Sequence, residues 1–130
     1  LGVNAPQSDF KEAYLFVKNN WSENDVVISA WTAPAKFYLG KNDYWLAFNV
    51  VGTGMEAFMV KGTSKDVYTN STAITDVKML ENVTKNYEGG WIVVDNTAWY
   101  KLPKETRNYI ETNVEKKLIA KSVRVYAWNN

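Results

Sequence analysis

Cysteine and histidine are both absent from this chain. Without cysteine there is no disulfide and no thiolate nucleophile. Without histidine there is no imidazole general base, and without either there is no structural zinc site. Any proton chemistry falls to Asp, Glu, Lys or Tyr. The missing cysteines fix no compartment, because many secreted microbial proteins also lack them. Long apolar runs are missing too: nothing approaches the ~20 residues of a membrane span, and no signal-peptide pattern opens the chain. An excess of one charge is likewise lacking. Fifteen basic residues face fourteen acidic ones, for a net charge of +1, and no basic cluster exceeds Lys116-Lys117. Nucleic-acid binding needs a basic stripe to displace counterions, so that class is set aside.

What is present is aromatic. Six Trp and eight Tyr in 130 residues give either an aromatic core and rim or a stacking surface for a sugar or lipid headgroup. The length corresponds to a single domain, residues 1–130, able to bury roughly two-thirds of its unfolded surface. The chain begins at Leu1 with no initiator Met, which reads as an excised domain or a processed product.

Apolar spacing predicts the elements. Ser8 or Asp9 can cap a helix with the stripe Phe10, Ala13, Tyr14 and Val17, ending at Asn19-Asn20. Asp25 to Ser29 reads as a buried, parallel strand. Pro34 to Leu39 fits a short helix stopped by Gly40. Strands are expected around Trp45–Val51, Glu56–Val60 and Val67–Thr69. A helix follows from Ile74 to Tyr87, opened by Thr75 or Asp76 and terminated by Gly89-Gly90. Trp91 to Val94 is a second buried strand, central and next to or near the first. Pro103 starts a helix to about Glu115 with Tyr109, Ile110 and Val114 inward. Leu118–Ala120 and Val123–Trp128 form a hairpin turning at Lys121-Ser122, its second strand half exposed by its alternation. The sum is an α/β fold, a three-layer sandwich with a mixed, mostly parallel central sheet and a C-terminal antiparallel hairpin.

Few motifs carry chemistry. Gly52-Thr53-Gly54-Met55-Glu56-Ala57 matches a relaxed dinucleotide fingerprint, with Asp76 about 20 residues on. That motif needs a helix starting at its second glycine, and Gly62 interrupts after a few residues, so a glycine-relieved loop is the competing reading. Asn20-Trp21-Ser22, Asn70-Ser71-Thr72 and Asn82-Val83-Thr84 are N-glycosylation sequons. With fourteen Asn and sixteen Ser or Thr, about two would arise by chance. Asp95, Asn96 and Thr97 follow one buried strand and Ser29, Trp31 and Thr32 the other, where ligands collect in open α/β sheets. Asp95 there could bind a sugar hydroxyl or a cation, or simply cap a turn; Asp43 has the same ambiguity. No pair of carboxylates has the spacing of a glycosidase acid and nucleophile.

Asp25-Val26-Val27, Tyr38-Leu39-Gly40 with Asp43-Tyr44-Trp45, Asp66-Val67-Tyr68, Gly90-Trp91-Ile92-Val93-Val94-Asp95 with Trp99-Tyr100, and Val123-Arg124-Val125-Tyr126 occur in one order. That order resembles the C-terminal extracytoplasmic domain of GT-C type membrane glycosyltransferases, the relatives of protein O-mannosyltransferases and aminoarabinose transferases. The similarity runs from about Asp9 to Trp128.

The resemblance implies a domain without catalytic residues or cofactor of its own. In that family the catalytic acid lies on a loop between transmembrane helices and the donor is a polyprenyl-phosphate sugar. The implied partners are the membrane domain of the same parent chain and a lipid-linked sugar or glycan acceptor, with no nucleic acid. The implied location is the extracytoplasmic face of the membrane, anchored by segments absent from this chain. The candidate contact surface is Trp31, Tyr38, Asp43, Tyr44, Trp45, Asp95, Trp99 and Tyr100, of which Asp43, Trp45, Asp95 and Trp99 should share the face at the carboxyl ends of the central strands. The alternatives are a free-standing ligand-binding α/β module using Gly52 and Gly54 for a nucleotide, and a purely structural lid.

Overall fold

The computed structural model describes residues 5–48, 65 and 69–130. In chain order these form α1 (Ala5–Asn20), β1 (Val26–Ser29), α2 (Thr32–Leu39), β2 (Tyr44–Leu46), β3 (Thr72–Ile74), α3 (Val77–Asn86), β4 (Gly89–Asp95), α4 (Asn96–Lys101), α5 (Lys104–Asn113), β5 (Glu115–Ala120) and β6 (Val123–Asn129). The sheet order is β3-β2-β1-β4-β6-β5. From β3 to β4 it is parallel; β6 runs antiparallel to both β4 and β5. The chain is thus the expected α/β sandwich, with Val26–Ile28 and Trp91–Val94 on adjacent central strands.

Alternation within the strands builds two cores. Val27, Trp91, Val93, Val123 and Val125 point to one face, where Phe10, Ala13, Tyr14 and Val17 of α1 and Ala35 of α2 cover them. Val26, Ile28, Ile92, Val94 and Tyr126 point to the other, under Leu80 and Val83 of α3, Trp99 of α4 and Ile110 of α5. Each aliphatic side chain taken fully from water contributes roughly 1.5–3 kcal/mol.

Element ends have local causes. Gly40 stops α2 at φ 80°, its N–H returning to Lys36 O. Its left-handed conformation is the reason for glycine there. Asp76 caps α3, its Oδ1 accepting from Met79 N at 2.9 Å. Other expectations need correction. Helix α1 is already formed at Ala5, so Ser8 and Asp9 lie inside it and not at its start. Ile74 belongs to β3, which Thr72–Ile74 is too short to announce. Gly89 and Gly90 do not end α3 but open β4, because the Trp128 ring lies where a Cβ on Gly90 would stand. Strand β6 is covered on both faces: Tyr126 and Trp128, on the face that alternation marks as exposed, are buried under α3, α4 and α5. Short α4 was not expected. The expected strand at Trp45–Val51 is seen only as β2. Residues 49–51, the Glu56–Val60 strand and all of Val67–Thr69 but its last residue lie outside the described residues, and Thr69 is in a turn. No described helix is long and apolar enough to cross a membrane.

Candidate functional site

The chain leaves β1 towards β2 and enters β4 from β3, so the strand order reverses direction between β1 and β4. The crevice beyond the carboxyl ends at such a point is where doubly wound sheets bind ligands. Ser29, Trp31 and Thr32 come from one strand end and Asp95 and Asn96 from the other. The crevice is closed by its own chain. Tyr14 OH donates to Ser29 Oγ at 2.8 Å, with both residues fully buried. Burial, with the nearby Asp95 charge adding to it, holds the Tyr14 hydroxyl protonated far above the usual tyrosine range. Ala30 N donates to Val93 O at 3.1 Å, stitching the two strand ends together. Asp95 accepts from Ala98 N at 3.4 Å as the N-cap of α4. The turn Ser29-Ala30-Trp31 has no glycine, so no bare backbone is offered to a pyrophosphate. The Gly52–Ala57 motif lies outside the described residues.

The eight candidate surface residues do not form one surface. Trp31 (41% exposed) and Asp95 are at the crevice, with the Trp31 ring edge-on to Phe10 at 5.3 Å. Tyr38 stacks on Tyr14 at 6.1 Å. Asp43 sits at the opposite end of the sheet. Its Oδ2 accepts from Val27 N at 2.8 Å and meets Lys41 Nζ at 3.0 Å, so the side chain extends the β1–β2 pairing. In register Asp43 is level with Val27 and Trp91. Asp95 is four residues further along β4, roughly 13 Å at the strand rise. Tyr44 shares a 3.1 Å hydroxyl contact with Tyr87. Burial first, and that hydrogen bond second, push its pKa up to about 12.

Trp45, 6% exposed, packs with Ala47 and Ala73. Trp99, 5% exposed, stacks on Tyr126 at 5.6 Å and lies under the Arg124 guanidinium at 4.6 Å. The expectation that Asp43, Trp45, Asp95 and Trp99 share one carboxyl-end face therefore fails: two are core, and the two acids lie at opposite ends of the strands. Tyr100 is 65% exposed, and its ring is 5.9 Å from the Arg124 guanidinium. Arg124 also donates to Asn96 Oδ1 at 3.1 Å and faces Glu111 at 3.6 Å. Glu111 in turn accepts from Tyr126 OH at 2.8 Å, and burial moves the Tyr126 pKa up to about 12.

The three sequon asparagines, Asn20 at the end of α1, Asn70 with φ 58° and Asn82 on α3, are all exposed. Among the described residues no group of three acids, Cys or His could hold a metal ion.

A concavity lies at the other end of the sheet, beside the amino ends of the parallel strands. It is a groove of about 730 Å³ between the end of α1 and β5, floored by the start of β4 and the end of β6. Phe16, Trp21, Trp91 and Trp128 line it with Asp25, Asn20, Asn113 and Glu115. Asp25 anchors this end: Oδ2 accepts from Ser22 N at 3.0 Å and from Trp91 Nε1 at 2.9 Å, and its carbonyl accepts from Lys41 Nζ at 2.6 Å. None of the groove was read as a site from sequence except Asn20, as a sequon. Its residues are scattered over five elements, and the only local signal is the pairing of Trp with Asn in Asn19-Asn20-Trp21 and Trp128-Asn129-Asn130.

No protein-family model, curated protein or solved structure matches the chain.

Proposed function

We propose that the chain is a non-catalytic accessory domain of a multi-spanning membrane glycosyltransferase that uses a polyprenyl-phosphate-linked sugar, held on the extracytoplasmic face and helping to position the acceptor or the membrane domain. The ordered motifs that resemble this family motivate the reading. The observation that carries its non-catalytic part is the occupation of three of the four acids those motifs supply: Asp25 ties the Trp91 indole to the α1–β1 turn, Asp43 extends strand pairing, and Asp95 caps α4, while Asp66 lies outside the described residues. Acids held this way stabilise the fold and are not poised to exchange protons with a substrate. The partners are the membrane domain of the same parent chain and a lipid-linked sugar or glycan acceptor.

The coding sequence upstream of Leu1 tests the parentage. Several hydrophobic spans there support it; a start codon at or just before Leu1 overturns it.

A free-standing ligand-binding α/β module is the second reading, and the β3-β2-β1-β4 order is what favours it. In it a ligand sits at the β1–β4 crevice, which the Tyr14–Ser29 hydrogen bond now fills; the Gly52 and Gly54 loop that would serve a nucleotide lies outside the described residues. Nucleotide-induced shifts at Ser29 and Asp95 would support it over the accessory reading.

A further inference from the structure

We propose that the groove at the amino ends of the parallel strands is a binding site for a neutral pyranose oligosaccharide. The inference stands on the groove itself and is independent of the glycosyltransferase reading. Its volume, about 730 Å³, falls in the roughly 300–1,000 Å³ range of small-molecule sites, room for a short glycan.

The lining has the two chemistries a pyranose requires. Sugar rings present a C–H face that packs on aromatic rings and an equator of hydroxyls that need acceptors. Phe16 and Trp21 are half-buried walls, and Phe16 stands edge-on to the Trp91 floor at 6.2 Å. Lys41 lies 5.7 Å from the Trp21 ring centre and helps fix that ring. The acceptors are held in place by their own donors. Asn20 Nδ2 donates to Phe16 O at 2.7 Å and Asn113 Nδ2 to Tyr109 O at 3.0 Å. In each case an amide oxygen is left without a partner among the described residues. Preorganised side chains of this kind lose little entropy on binding.

Other ligand classes fit less well. Among the described residues Lys117 is the lining's cation, and it is paired with Glu115 at 3.0 Å; Lys41, beside Trp21, is committed to Asp25 O and Asp43, so neither cation is left unpaired for a phosphate or uronate. For a divalent cation the lining offers two acids among the described residues, Asp25 and Glu115; Asp25 Oδ2 is committed to Ser22 N and Trp91 Nε1, Glu115 is paired with Lys117, and no third acid, Cys or His joins them. The Trp91 and Trp128 indole N–H groups are already donated to Asp25 and to Tyr87 O, at 2.9 and 3.0 Å, so the floor demands no polar partner of its own.

The test is amide and indole NMR of the 130-residue chain, made without glycosylation because Asn20 is a sequon asparagine on the rim. The probes are mannobiose, cellobiose and chitobiose, with inorganic phosphate and glucuronate as anionic controls. At least one neutral disaccharide is expected to shift the Trp21 and Trp91 indole and the Asn20 and Asn113 side-chain signals, with a Kd of roughly 1 mM. Trp21→Ala should weaken binding at least about tenfold. Asn113→Ala, at an exposed position that leaves the fold alone, should weaken it as well. Groove signals that stay still with all three disaccharides would overturn the site. So would a stronger response to phosphate or glucuronate, or undiminished binding in folded Trp21→Ala and Asn113→Ala.

Discussion

Single residues in this chain act mostly at a distance from their sequence neighbours. Asp25 reaches Trp91, 66 positions on, and Arg124 is enclosed by Trp99, Tyr100, Asn96 and Glu111. Such pairings carry no local signal, which is why Trp99 and Tyr100 read as a ligand surface when one lies on the core and both flank an arginine of their own chain. Residues with a local task were legible: Gly40 stops α2, and Asp76 was one of two residues expected to open α3. Buried Trp45 and Trp99 should each cost roughly 3–5 kcal/mol on replacement by Ala. Denaturant titration of Trp45→Ala and Trp99→Ala reads this directly, and near-wild-type stability would return both to the surface. Gly90→Ala should also destabilise, by roughly 1–3 kcal/mol, because the new methyl runs into the Trp128 ring. A thermal melt of that variant should fall, and no change would mean the ring moves aside freely.

Among elements, length decided what could be read. The helices α1, α3 and α5 repeat their apolar stripe enough times to be seen, whereas three-residue β3 and six-residue α4 do not. Strand β6 was misjudged for a different reason: Tyr126 and Trp128 alternate with Val125 and Ala127 as polar-tipped residues do, yet both are buried and satisfy their polar atoms on Glu111 and Tyr87. The capping of α3 is separable from packing, because Asp76 is exposed. Asp76→Ala should cost about 1 kcal/mol, and Asp76→Asn much less. Chemical denaturation of the pair measures this; equal losses in both would place the contribution in charge instead of the cap.

At the level of the whole molecule, apolar runs announced two central strands with helices on both faces, but the order β3-β2-β1-β4-β6-β5 depends on long crossovers that composition does not encode. The sheet's two ends consequently trade roles: the carboxyl end, where the sequence placed a ligand, is filled by Tyr14, and the open groove is at the amino end. Buried Tyr14 and Tyr126 and half-buried Tyr44 make the fold sensitive to alkali. Tyr44 and Tyr126 are pushed up to about 12, and Tyr14 further still, chiefly by burial. Below pH ~10, the unfolded tyrosine value, both folded and unfolded chains hold these protons and stability is complete. Above it the unfolded chain releases protons that the folded chain keeps, so stability falls as pH rises from ~10 through ~12. Circular dichroism and tyrosinate absorbance should therefore change together in that window; tyrosines that all ionise near pH ~10 in an intact fold would contradict this.

The proposed role of this domain is to serve a sugar-transfer enzyme without performing the transfer. Its most direct test is to incubate the pure 130-residue chain with polyprenyl-phosphate sugars and a range of glycan, peptide and lipid acceptors, and to quantify transferred sugar. The expected result is no product above a protein-free control. Turnover that persists through repurification and disappears in Asp95→Asn would contradict it, because the carboxylate assigned here to capping α4 would then be acting on substrate.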